Sequence, residues 1–153
     1  MPYSIEKRNQ FLNLTFPGQT TITVSQPSKV YLGLCNNDPV TDGGTFAELT
    51  CDTYARVLLS RKGQDLPDLL SDIADGKIYN VKQITFNRAT EAWTQVKGIG
   101  IFESEEGGSP TFYATLKTPV DVALNQIFTF DPNTFVVQFA DTDVEIEAEG
   151  SAI

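Results

Sequence analysis

From residue 29 onward the chain is a series of short runs of alternating apolar residues cut by turn residues, and that spacing limits the possible folds more than any other feature. "KVYLGLC" (29–35) places Val30, Leu32 and Leu34 on one face and Tyr31, Gly33 and Cys35 on the other, the two-residue period of a strand. "TYARVLLS" (53–60), "IYNVKQITF" (78–86), "TQVKGIGIFES" (94–104), "TFYATLKT" (111–118), "QIFTF" (126–130), "TFVVQFAD" (134–141) and "DVEIEAE" (143–149) continue the series. The intervening "NNDPVTDGG", "EEGGSP" and "DPN" are turn compositions, because Asn and Asp satisfy local backbone groups and Gly takes positive φ. The pattern predicts a mainly β fold, a single antiparallel β-sandwich or jelly-roll-like domain over 29–153.

Two segments have helical spacing instead. Ile5, Phe11, Leu12 and Phe16 follow Ser4, a candidate N-cap, which predicts a short helix over 4–15 ended by Pro17 and Gly18. An extended arm then runs to residue 28, so 1–28 form a helix-and-arm extension. "DLPDLLSDIADG" (65–76) predicts one short helix, with Pro67 in its first turn and Gly76 past its end.

At 153 residues, one domain can bury about 70% of its unfolded surface, and ten Phe plus five Tyr supply core material. No apolar run approaches the roughly 20 residues that a bilayer-spanning helix needs. Glu6, Lys7, Arg8 and Asn9 fall where a signal peptide would need an apolar stretch. The expectation is a soluble protein folded in the cytoplasm.

Charge is unevenly placed. Residues 1–102 carry ten acids and ten bases, whereas 103–153 carry ten acids and the single base Lys117, so the net charge of −9 belongs to the last third. Such a surface repels phosphate backbones and anionic membranes, which argues against nucleic-acid and membrane partners. In "DVEIEAE", Val144, Ile146 and Ala148 alternate with Glu145, Glu147 and Glu149. That strand is either an edge protected from stray pairing by its charges or one whose acids meet bases on a neighbouring subunit.

Without histidine, imidazole-based nucleophiles and His metal sites are excluded. Cys35 and Cys51, the only cysteines, are expected to be reduced and structural. Asn36, Asn37, Asp38 and Asp42 lack the spacing of a calcium loop and are read as Asx turns. Glu103, Glu105 and Glu106 are adjacent in one turn, whereas glycosidase carboxylates face each other across a cleft. Gly98 and Gly100 share a strand face, so a large group, such as an aromatic ring, is expected against them. No catalytic constellation, cofactor or metal is expected.

The order of motifs carries a resemblance. Tyr31 leads a strand ending at Asp38 and Pro39; Tyr54 and Arg56 form a Tyr-x-Arg pair; Phe86, Ala89, Thr90 and Trp93 fall in "ITFNRATEAW"; Gly100 lies in the following strand; Pro119 and Val122 open the last hairpin. Over residues 4–140 this resembles small tailed-bacteriophage virion proteins usually described as tail fibre proteins, with relatives resembling capsid decoration, or cement, proteins. The segment 61–80 departs from that pattern, and the acidic strand at 143–149 extends beyond it. The resemblance implies a non-enzymatic virion protein made in the host cytoplasm. Its leading implication is a capsid decoration protein on the major capsid protein lattice, as a homo-oligomer with a trimer favoured. The alternative is a tail fibre or tail-tip module that binds a host cell-surface glycan. Ile5, Phe11, Leu12, Phe16, Glu145, Glu147 and Glu149 are the expected partner contacts. Trp93, the only tryptophan, is expected to cover the end of the sandwich with its indole N–H bonded, or alternatively to stack on a sugar.

Overall fold

The computed structural model describes residues 12, 27–60, 68–139 and 144–153. The expected N-terminal helix and arm therefore lie almost wholly outside the described residues. Among the described residues ten strands follow in order: β1 (Val30–Cys35), β2 (Val57–Leu59), β3 (Lys77–Tyr79), β4 (Ile84–Arg88), β5 (Trp93–Phe102), β6 (Phe112–Val122), β7 (Ile127–Phe130), β8 (Phe135–Phe139), β9 (Val144–Ala148) and β10 (Ser151–Ala152).

Every ladder between them is antiparallel. They form one four-stranded sheet, β2-β1-β5-β6, and two three-stranded sheets, β10-β7-β4 and β3-β8-β9. All three sheets feed one apolar cluster, including Leu32, Leu34, Ile84, Trp93, Ile99, Val122, Phe128, Phe130 and Phe135, in a sandwich-like arrangement. Through it runs an aromatic series. Trp93 meets Tyr54 edge-on at 5.8 Å, Tyr54 stacks on Phe86 at 6.4 Å, and Phe86, Phe128, Phe130 and Phe135 continue at 5.1–5.9 Å. Each such pair adds about 0.5–1.5 kcal/mol beyond the area it buries.

The segment 65–76 is not the expected helix where it is described. Leu70 bridges Asn80 and Ala74 bridges Lys77, which makes 70–80 a hairpin running into β3. Its two-residue turn is Asp75 (φ 53) and Gly76 (φ 69), both left-handed, closed by Ala74 and Lys77 exchanging bonds of 3.1 and 3.0 Å. This mirror-image turn matches strand twist, and Asp-Gly is its preferred sequence. Local turn chemistry therefore outweighs the helical spacing of Leu66, Leu69, Leu70 and Ile73.

"IYNVKQITF" also divides, into β3 and β4: buried Asn80 still bridges Leu70 and bonds the Phe135 carbonyl, and the chain bends over residues 81–83. Asn80 Nδ2 donates to the carbonyls of Lys82 and Asp131 at 3.0 and 2.8 Å, and its Oδ1 accepts from the Phe135 amide at 3.0 Å. One amide side chain thus holds the turn between β7 and β8. β6 runs longer than expected, through exposed Pro119, because Val96 pairs with Val120 but Gly98 with Thr115. The bulge this creates admits a residue with no N–H to give. β10 was not expected. It pairs with β7 after Gly150, where an added Cβ would stand 2.2 Å from the Phe128 ring.

Candidate functional site

One face of β1 and β5 is paved with glycine. Gly33 stands opposite Gly100, and Cys35 opposite Gly98. A Cβ on Gly98 would come within 2.6 Å of Pro39 Cδ and 2.7 Å of Cys35 Sγ. On Gly100 it would come within 2.9 Å of both the Phe46 and Phe102 rings. The connection from Asn36 to Arg56 therefore lies directly on the sheet, and the group expected against these glycines is Pro39 at one and an aromatic ring at the other.

Asp38 sets the path of that connection. Its Oδ1 accepts from the Val40 and Thr41 amides at 3.1 Å each and from the Thr115 hydroxyl of β6, while its Oδ2 accepts from Thr41 Oγ1 at 2.8 Å. The Thr115 hydroxyl, followed by the Thr41 donors, pulls the Asp38 carboxyl down to about 2 from an ordinary 3.8. Asn37 receives the Ala47 amide and donates to Asp42 and to the Thr45 carbonyl. The Asp38 bonds to the Val40 and Thr41 amides are those of the expected Asx turn, whereas the Asn37 bonds and the Thr115 bond reach across the loop and the sheet. Among the described residues no group of three acids or cysteines is arranged to hold a metal ion.

The Tyr-x-Arg motif is a buried polar knot. Arg56 Nε and Nη2 donate to the two Glu48 oxygens at 2.8 and 2.7 Å, and Nη1 reaches the carbonyls of Ser104 and Gly107, both at 2.9 Å. Its guanidinium carbon lies 3.4 Å from the centre of the Phe102 ring. Tyr54 donates to Glu48 at 2.8 Å and accepts the Leu34 amide at 2.9 Å. Burial alone would raise the Glu48 carboxyl, but its bonds from Arg56 and Tyr54 outweigh this and hold it below its ordinary value. Burial pushes the Tyr54 hydroxyl up, and the Glu48 charge adds to the rise. The pair Glu48–Arg56 thereby fixes the β5–β6 turn to the sheet.

Trp93 is 0% exposed, so the core-anchor expectation holds and the sugar-stacking platform does not. Its Nε1 has no hydrogen-bond partner among the described residues, contrary to the expected bonded indole, and its ring packs edge-on against Tyr54 within the apolar cluster. Phe86 is buried beside it, and Tyr31 is half-buried in β1. Both cysteines are free thiols; burial pushes Cys35 up to about 12.

The expected partner residues lie elsewhere. β9 ends its sheet with Val144 and Ala148 inward and Glu145, Glu147 and Glu149 exposed. Glu145 accepts from Gln138 at 3.2 Å, and Glu147 meets Lys117 of β6 at 3.7 Å, half exposed on both sides. A groove separates β6 from β9, with Val40, Tyr113 and Ile146 along it and Asp38, Glu145 and Glu147 at its rim. Leu12 is 55% exposed, and Ile5, Phe11 and Phe16 lie outside the described residues.

Sequence reasoning missed Glu48, Phe46 and Asn80. A Glu flanked by apolar neighbours in "FAELT" is the one signal that could have marked Glu48 as the partner of Arg56. An Asn inside an apolar strand-like run could have marked Asn80 as a buried hydrogen-bonding side chain. Phe46 carries no such signal.

No curated protein matches the sequence. Residues 3–138 match the family described as Podophage GP4 fiber I protein gp80, a span from the N-terminal segment into β8. That span contains the glycine-paved face, the Arg56 knot and the Trp93 anchor, and with most of its length matched, the chain belongs to this podophage fibre family.

Proposed function

We propose that the chain is a structural, non-enzymatic subunit of a tailed-phage fibre, carried on the tail of the virion. The observation that carries this reading is the family match over residues 3–138. The geometry supports it. Glu48, Arg56, Asp38 and Asn80 spend their hydrogen-bonding capacity inside the fold, which makes a rigid block rather than a reactive cleft. Capsid decoration, the leading expectation from sequence, draws no support from a fibre family. A glycan-binding tip loses its expected platform with the burial of Trp93, so the role proposed is assembly, with other virion proteins and further copies of this chain as partners.

The test is to produce particles without this chain. Filled heads that lack a tail appendage and adsorb poorly are the expected result. Heads that lose their DNA while tails stay complete would overturn the reading in favour of the shell.

A further inference from the structure

β6 ends the four-stranded sheet and β9 ends one of the three-stranded sheets, and the two run side by side as members of different sheets. The groove between them has an apolar course and an acidic rim. Val40 is 49% exposed at its mouth, Tyr113 and Ile146 are half-buried, and Asp38, Glu145 and Glu147 stand around them. Lys117 is the only base that the last third of the chain can set against those acids.

An occupant must therefore bring apolar side chains and positive charge together. Residues 4–16 do so: Lys7 and Arg8 outnumber Glu6, and Ile5, Phe11, Leu12, Leu14 and Phe16 supply apolar surface. Leu12 is 55% exposed. Pairing β9 with β9 of another copy would set Glu145, Glu147 and Glu149 against like charges. A contact between copies through this edge then sets one surface against a different one, whether exchanged within a pair or passed around a ring.

We propose that the groove between β6 and β9 receives residues 4–16 of a second copy of this chain, with Lys7 and Arg8 against the acidic rim and Leu12 on Val40 and Ile146. This rests on the reading of the chain as an assembling fibre subunit.

The test uses the full chain with Cys51→Ala, so that Cys35, buried, is the only native thiol left. Chains carrying Leu12→Cys are mixed with chains carrying Val40→Cys and oxidised. A disulfide between chains is expected, together with loss of the oligomer in E145K/E147K and its recovery when K7E/R8E is added. Association of the charge-reversed groove should weaken by about tenfold or more. Absence of a disulfide between the mixed chains, or a full chain that stays monomeric, overturns the proposal. So does an oligomer indifferent to both charge reversals. An indifferent oligomer on particles that still need the chain for their tails would leave the fibre reading standing, whereas particles complete without it would remove that reading separately.

Discussion

Arg56 holds Glu48 by both carboxylate oxygens, at 2.8 and 2.7 Å, with only 3% of the arginine side chain exposed. Eight residues apart in sequence, the two convert the loop beside β2 into a clamp on the β5–β6 turn. Arg56→Met should destabilise the fold by about 2–4 kcal/mol, towards the low end for a broken buried pair because Glu48 keeps 26% of its side chain in water. Urea unfolding checks this, and a loss below about 1 kcal/mol would mean that the pair is worth no more than a surface one.

Asp38 has a depressed folded-state pKa, so its contribution is present above its ordinary 3.8 and fades as pH falls towards about 2. Asp38→Asn should therefore unfold at lower urea than the native chain near neutral pH, and the two midpoints should converge as pH drops through that window. A gap unchanged down to pH 2 would show that the carboxylate charge is irrelevant to the turn.

Trp93 places its weight on ring packing, since its Nε1 has no hydrogen-bond partner among the described residues. Trp93→Phe should cost about 1–2 kcal/mol and Trp93→Ala about 3–5 kcal/mol. In the native chain, blue-shifted fluorescence resistant to acrylamide is expected. Emission of a water-exposed indole would contradict the burial.

Asn80 satisfies the Phe135 amide and the Asp131 and Lys82 carbonyls from one side chain. Asn80→Ala leaves the buried Phe135 amide without its acceptor, while the Asp131 carbonyl keeps its bonds from Thr134, and should cost about 1–3 kcal/mol. Hydrogen exchange should then quicken first at the β7–β8 turn. Uniform exchange across the sheets would argue against a local staple.

The strands were legible where alternation is strict. β1, β5, β7 and β9 fall where two-residue periodicity places them, and Glu145, Glu147 and Glu149 face outward as that period requires. β10 is two residues long, too short for any period to register. The hairpin over 70–80 was hidden because apolar residues at helical spacing overlie an Asp-Gly turn, and backbone geometry at two residues decides the outcome. The glycines announced a close approach but not what approaches, since Pro39 and Phe46 come from a separate loop. Arg56 and Trp93 were legible as motif positions. Their roles were not, because Ser104, Gly107 and Phe102 meet Arg56 only after the sheet has formed.

The central claim, that this fold serves a fibre on the tail, is tested most directly by immuno-gold electron microscopy of intact particles with antibody against this chain. Gold confined to the tail is the predicted result. Gold spread evenly over the heads would contradict it and return the chain to the capsid surface.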